Sequence, residues 1–224
     1  MVDAIQMGMP VLAKMGHLTG EQKYFDKMWD MYEFSRNQLA GKGMFNLADG
    51  LWWRDADFLL HTKSPMEKTA TGAGETDGPT LHWYAYLTKF QPMKTPPRLH
   101  QRFPDYEQSI KKCQRTDGFW NVSLHDAGNY GGKETTGTAL FVYGMAWGVR
   151  NGLLDKEEYL PVLLKGWNAM VKEAVPPNGF LGYVQGTGKE PKDGQPVTYE
   201  SVPDFEDYGV GCFLLAGTEV YKLQ

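Results

Sequence analysis

The sequence predicts an all-α protein, an arc cut from a toroid of helical hairpins. Three observations carry this. Apolar residues recur at the three- and four-residue spacing of helix faces along most of the chain. A glycine turn returns as Asp49-Gly50-Leu51-Trp52, Asp117-Gly118-Phe119-Trp120 and Asn178-Gly179-Phe180-Leu181, at intervals of 68 and 61 residues. Such an interval fits two helices and their connections, the signature of stacked αα units. The third observation is length. A closed ring of six hairpins, each of roughly 60 residues, needs more than these 224 residues, which supply little over half of one.

The elements follow in order. Residues 1–15 are apolar and helix-like. Thr19 with Gln22 reads as a capping box, and Tyr24, Phe25, Met28, Trp29, Tyr32 and Phe34 then mark one apolar face. A helix is expected over about 137–149, stopped at Asn151-Gly152. Asp155 with Glu158 repeats the cap, and Tyr159, Val162, Leu163, Trp167, Met170 and Val171 repeat the stripe. Pro161 falls in the second turn, where its cost is small. Pro176-Pro177-Asn178-Gly179 ends that helix, and a last helix is expected over about 208–222. Glu134-Thr135 stands at a helix start, with the threonine as the candidate cap.

Residues 60–109 break the pattern. They hold six of the 13 prolines and three of the five histidines, with little apolar periodicity, and are expected to be irregular and poorly buried.

Composition excludes several function classes. A net charge of −4 gives no basic footprint for nucleic acid or an anionic membrane. No apolar run reaches the 18 or so residues a membrane span needs. Cys113 and Cys212 form no disulfide framework, and neither they nor the histidines, His125 included, show ligand spacing, so no metal and no cofactor are expected. The first residues lack a signal-peptide pattern, which points to the cytoplasm, or to the periplasm if the true start lies upstream. Aromatic residues make up 13% of the chain, a content that suits either a sugar-binding cleft or an aromatic core.

Particular stretches go further. D-G-L-W-W-R-D-A-D-F from Asp49, Q-R-T-D-G-F-W-N-V-S-L from Gln114, E-T-T-G-T-A-L-F from Glu134, A-W-G-V-R-N-G-L-L-D from Ala146 and G-V-G-C-F-L-L-A-G-T-E-V from Gly209 lie in collinear order. Together they resemble the unsaturated rhamnogalacturonyl hydrolases, glycoside hydrolase family 105, related to the unsaturated glucuronyl hydrolases of family 88. The resemblance implies an (α/α)6 barrel. It also implies removal of a Δ4,5-unsaturated uronic acid from the non-reducing end of pectin fragments, so the expected partner is an oligosaccharide.

The resemblance also carries site residues. The family element W-x-D-A-x-x-M reads Met1-Val2-Asp3-Ala4-Ile5-Gln6-Met7 here, so Asp3 aligns with the general acid/base while the preceding tryptophans and a second aspartate are missing. Met7 is a candidate floor of the site or a core methionine. Trp52 and Trp53 are stacking walls or core. Arg54 is a bidentate partner for the uronate carboxylate, or pairs on the surface with Asp55 or Asp57. The implied reaction hydrates a vinyl ether, and one carboxyl in a dry pocket serves as acid and then base.

A W-S-R-G-N-G-W element that the family places after R-D-x-x-F is missing. Across Thr71 to Gly78 the neighbouring reading frame admits Trp, Ser, Arg, Gly, Asn, Gly and Trp in that order. The coding text is therefore expected to leave its ancestral frame near Leu60 and return near Ile110; the chain as written is expected to be an impaired enzyme of this family, the alternative being a non-catalytic remnant or carbohydrate-binding fragment.

Overall fold

The computed structural model describes residues 4–53, 97–122, 124, 131–175, 177, 179–186, 196–199 and 207–224. Among them are six α-helices and one short β-ribbon: α1 (Ala4–Thr19), α2 (Gln22–Asn37), β1 (Phe45–Asn46), β2 (Leu51–Trp52), α3 (Pro97–Lys112), α4 (Thr135–Arg150), α5 (Lys156–Glu173) and α6 (Asp207–Tyr221).

α1 buries Ile5, Met9, Ala13 and Gly16, one stripe at helical spacing. It runs antiparallel to α2: Gly16 faces Phe25 near the connection, and Gly8 faces Met31 a few turns on. Gly16 is needed there, because a Cβ would sit 2.3 Å from the Phe25 ring. The capping box at Thr19 does not form. Thr19 stays in α1, where its hydroxyl donates to Met15 O at 2.8 Å, and Gly20 at φ +71° closes the helix by donating to Gly16 O. Glu21 becomes the N-cap of α2, with no side-chain cap bond.

The repeated turn is one structure used again. Asp49 Oδ1 accepts from Leu51 N at 3.0 Å, and Asp117 Oδ1 accepts from Phe119 N at 3.1 Å. The glycine after each aspartate is left-handed, Gly50 at φ +73° and Gly118 at +96°, as is Gly179 at +81° in the third copy. The first copy closes β1 onto β2, pairing Phe45 with Trp52 and Asn46 with Leu51.

α3 corrects the expectation for its part of residues 60–109. From Pro97 the chain is helical, and Phe103, Tyr106, Glu107 and Ile110 are buried. Phe103, Tyr106 and Ile110 form an i, i+3, i+7 series that the proline count hid. Pro97 occupies the first helical position, which tolerates it; Pro104 is interior and removes one backbone donor. Residues 61–96 lie outside the described residues; of the stretch expected to be out of frame, from near Leu60 to near Ile110, only the part from Pro97 is described, and it is this helix. α3 packs on α2: Arg102 pairs with Glu33 and lies over the rings of Trp29 and Tyr32, 5.4 and 5.7 Å from their centroids.

α4 is buried along nearly its whole length. A helix apolar all round belongs inside, and α4 has α5 on one side and α6 on another. The short connection after α4 makes α5 antiparallel, with Gly166 of α5 against Val142 of α4. α6 runs parallel to α4. Arg150 and Glu219 pair at 2.8 Å near their C-terminal ends, while Glu134 and Tyr208 both bond to Gln185 near their N-terminal ends. One buried cluster extends from Ile5 to Val220.

Candidate active site

The connectivity gathers the long loops at one end. Each glycine turn follows the C-terminus of α2, α3 or α5. Two of the loops then feed the N-termini of α4 and α6. α1, antiparallel to α2, begins at the same end, where the β-ribbon sits. A rigid wall that places several loops together in this way is a common scaffold for a site.

The head of α4 is the best-built part of that end. Glu134 is its N-cap. The buried carboxylate accepts from Thr136 N at 2.9 Å, Thr136 Oγ1 at 2.5 Å, Gly137 N at 2.6 Å and Gln185 N at 3.4 Å. Burial pushes this carboxyl above the ordinary glutamate range, against the pull of those donors. Thr135, the expected cap, instead ties down the next loop: its amide donates to Tyr183 O at 2.8 Å and its hydroxyl to Gly182 O at 2.7 Å. Tyr183 is held at φ +56°, the one non-glycine with positive φ among the described residues, and such strain persists only where the surroundings impose it. On α6, burial and then the charge of Glu134 push the Cys212 thiol up to about 12, so it is not a nucleophile at neutral pH.

Two ion pairs brace the same loops. Arg115 holds Asp117 through Nε and Nη2, and donates through Nη1 to Asn121 Oδ1 at 2.6 Å. Partial burial raises the Asp117 carboxyl, but Arg115 and the Phe119 amide outweigh it and leave it below the ordinary range. Lys133 pairs with Glu173 and sits over the rings of Tyr183 and Phe119, 5.2 and 5.8 Å from their centroids. That pairing raises the Lys133 ammonium despite some burial.

The expected site residues are placed unevenly. Asp3 and Arg54 lie outside the described residues. Trp52 is core: it is 1% exposed and meets Tyr32 and Phe45 edge-on at 5.9 and 5.2 Å. Trp53 is half-buried, its amide donating to Met44 O at 2.8 Å. Met7 is 72% exposed on the face of α1 opposite Ile5 and Met9, so it is not a core methionine. Sequence reasoning passed over Lys133 and Tyr183. The Lys133-Glu134 pair just before a glycine-rich helix start was the available signal; Tyr183 gave none, because a positive φ at tyrosine has no local sequence cue. Among the described residues no group of His, Cys, Asp and Glu is arranged to hold a metal, and no helix is long and apolar enough to cross a membrane.

Comparisons with known proteins agree with this architecture. The model of Glycosyl Hydrolase Family 88 matches residues 2–224. An unsaturated 3S-rhamnoglycuronyl hydrolase of Formosa agariphila is 32% identical over 99% of this chain and 57% of its own length. One of the same name from Alteromonas sp. is 30% identical over 97% of this chain and 50% of its own. The solved structure of a family 88 glycosyl hydrolase from Bacteroides vulgatus superposes with TM-score 0.88 at 32% identity, covering 100% of this chain and 62% of that one. A family 105 structure from C. acetobutylicum, at 22% identity and TM-score 0.72, shares the fold. The chain thus spans about half the length of the curated relatives it matches. With the all-α hairpin wall and the family model matched from residue 2 to residue 224, the chain belongs to glycosyl hydrolase family 88.

Proposed function

We infer that this chain is the C-terminal part of an unsaturated uronyl hydrolase, one that releases a terminal Δ4,5-unsaturated uronic acid from rhamnose-containing oligosaccharides such as pectin-derived rhamnogalacturonan. The observation that carries this is the family match along the whole chain, joined to two relatives whose names put rhamnose beside an unsaturated uronate.

The chemistry asks little of the protein beyond one well-held acid. A carboxylic acid protonates C4 of the ring, and the adjoining C5 takes up the positive charge through the ring oxygen. Water adds at C5 and its proton returns to the carboxylate; the C5 hemiketal opens to a ketone by breaking its bond to the ring oxygen, which leaves C1 a hemiacetal that collapses to the aldehyde and releases the saccharide as its alcohol. No covalent enzyme intermediate is needed, unlike the double displacement of retaining glycosidases, and no second carboxylate is needed, unlike either class. Asp3 is the proposed acid and base, and Arg54 the proposed clamp on the uronate carboxylate. Trp53 is the remaining candidate for a stacking wall, since Trp52 is occupied by the core.

Taken alone, this chain is expected to turn over slowly. Vinyl-ether hydration needs acid, water and carboxylate clamp fixed together with bulk water excluded. The family elements before Asp3 and the W-S-R-G-N-G-W clamp are not in the sequence. The test is incubation with an unsaturated rhamnogalacturonan disaccharide and with its 3-sulfated rhamnose counterpart, following loss of the vinyl-ether absorbance. Loss that persists in Asp3→Asn would remove Asp3 from its role; no loss with either sugar in a completed barrel would remove the substrate class.

A further inference from the structure

The segment after the third glycine turn is held from three helices. Gly182 N donates to Ala174 O at the end of α5, at 2.7 Å, and Thr135 of α4 donates to Gly182 O and Tyr183 O. Gln185 N donates to Glu134, and Gln185 O accepts from the Tyr208 hydroxyl at the head of α6, at 2.5 Å. Gly182 leaves no room for a side chain of its own, since a Cβ there would lie 2.8 Å from the Tyr199 ring. Together these contacts impose φ +56° on Tyr183, a backbone that disfavours a bulky side chain. Glycine would take it without strain. The fold bears the strain with a tyrosine in place, and residues strained in this way gather at ligand clamps.

The segment presents an aromatic surface. The Tyr183 ring meets Tyr199 at 5.5 Å and Phe119 at 6.2 Å, and among the described residues its hydroxyl has no hydrogen-bond partner. Phe180 stands three residues earlier and is 63% exposed, although the residue after the glycine is buried in the two other copies of the turn, Leu51 at 2% and Phe119 at 0%. The neighbouring charges are matched, Lys133 by Glu173 and Arg115 by Asp117. A surface of rings with an open phenol, and no spare cation among these residues, suits a neutral sugar with an apolar edge better than a uronate. We propose that Tyr183 is a specificity-determining residue for the leaving sugar. Its ring packs on rhamnose at the edge that carries the methyl group, and its hydroxyl bonds a sugar hydroxyl. The proposal rests on the rhamnose-bearing substrate inferred above and names the residue that reads it.

The probes are methyl α-L-rhamnoside and, as the charged comparison, methyl α-D-galacturonide, each titrated into the 224-residue chain and followed by saturation-transfer NMR. The rhamnoside should bind about ten-fold tighter than the galacturonide, and about 0.5 M salt should leave its binding unchanged. Tyr183→Phe should weaken it about three-fold and Tyr183→Ala about ten-fold. Tyr183→Gly separates binding from folding: it should bind as poorly as Tyr183→Ala yet unfold at a higher temperature, because glycine accepts the left-handed backbone. Neither probe carries an unsaturated uronate, so a failed vinyl-ether assay leaves this result standing, and failure here leaves the hydrolase reading standing. A rhamnoside that does not bind the parent chain, that binds Tyr183→Gly as well as the parent, or that binds no better than the galacturonide overturns the proposal.

Discussion

Two carboxylates show how the same group is used in opposite senses. Asp117 sits below its ordinary value of 3.8 through Arg115 and the Phe119 amide, despite partial burial. A carboxyl with a lowered folded-state pKa stabilises above its unfolded pKa, and the gain is lost as pH falls through the folded value. Asp117→Asn should therefore remove part of the acid-side loss of stability below about pH 4, read as a flatter urea midpoint against pH. Glu134 is raised above its ordinary 4.5 by burial. Its contribution is greatest at acid pH and falls as pH rises through the folded value, so Glu134→Gln should flatten the profile on the neutral side of the ordinary glutamate range. Glu134→Ala should cost about 1–2 kcal/mol at neutral pH, because Thr136 N and Gly137 N lose their acceptor.

The turns give a sharper test at the scale of the element. Gly118 and Gly179 have the same left-handed backbone but different surroundings. A Cβ at Gly118 would lie 2.7 Å from Lys165 O and 3.0 Å from Ala169 Cβ on α5, whereas one at Gly179 meets nothing within 4 Å. Gly179→Ala should cost about 1 kcal/mol, the backbone penalty alone. Gly118→Ala should cost at least about 2 kcal/mol more, since α5 must shift. Equal losses in thermal or urea unfolding would mean that the turn does not seat α5. These turns were legible in the sequence because the aspartate-to-amide bond and the left-handed glycine are local chemistry. α3 was not, because counting Pro97 and Pro104 obscured a real apolar series around them. The Thr19 box failed because Gly20 offered α1 a better ending than Glu21 offered α2 a beginning. Which side of its alternatives Trp52 took was likewise undecidable from spacing, since a tryptophan after a tight turn packs inward or outward with the register of a two-residue strand.

At the scale of the molecule, a wall of hairpins and a family follow from repeated local patterns, while a working site requires parts that are distant in sequence. Helix stripes and collinear motifs run through the chain outside residues 60–109 and made the fold readable. The proposed site needs Asp3 and Arg54, far apart in sequence, to meet in one pocket. The most direct measurement is loss of vinyl-ether absorbance from an unsaturated rhamnogalacturonan disaccharide, run on the 224-residue chain alone, on the chain extended to the length of its relatives with the segment from near Leu60 to near Ile110 in the ancestral frame, and on the Asp3→Asn variant of that extended chain. The predicted result is slow or no loss for the chain alone, turnover on extension, and its abolition in Asp3→Asn. Full turnover by the 224-residue chain as a cooperative monomer, or turnover that survives Asp3→Asn in the extended chain, would contradict it.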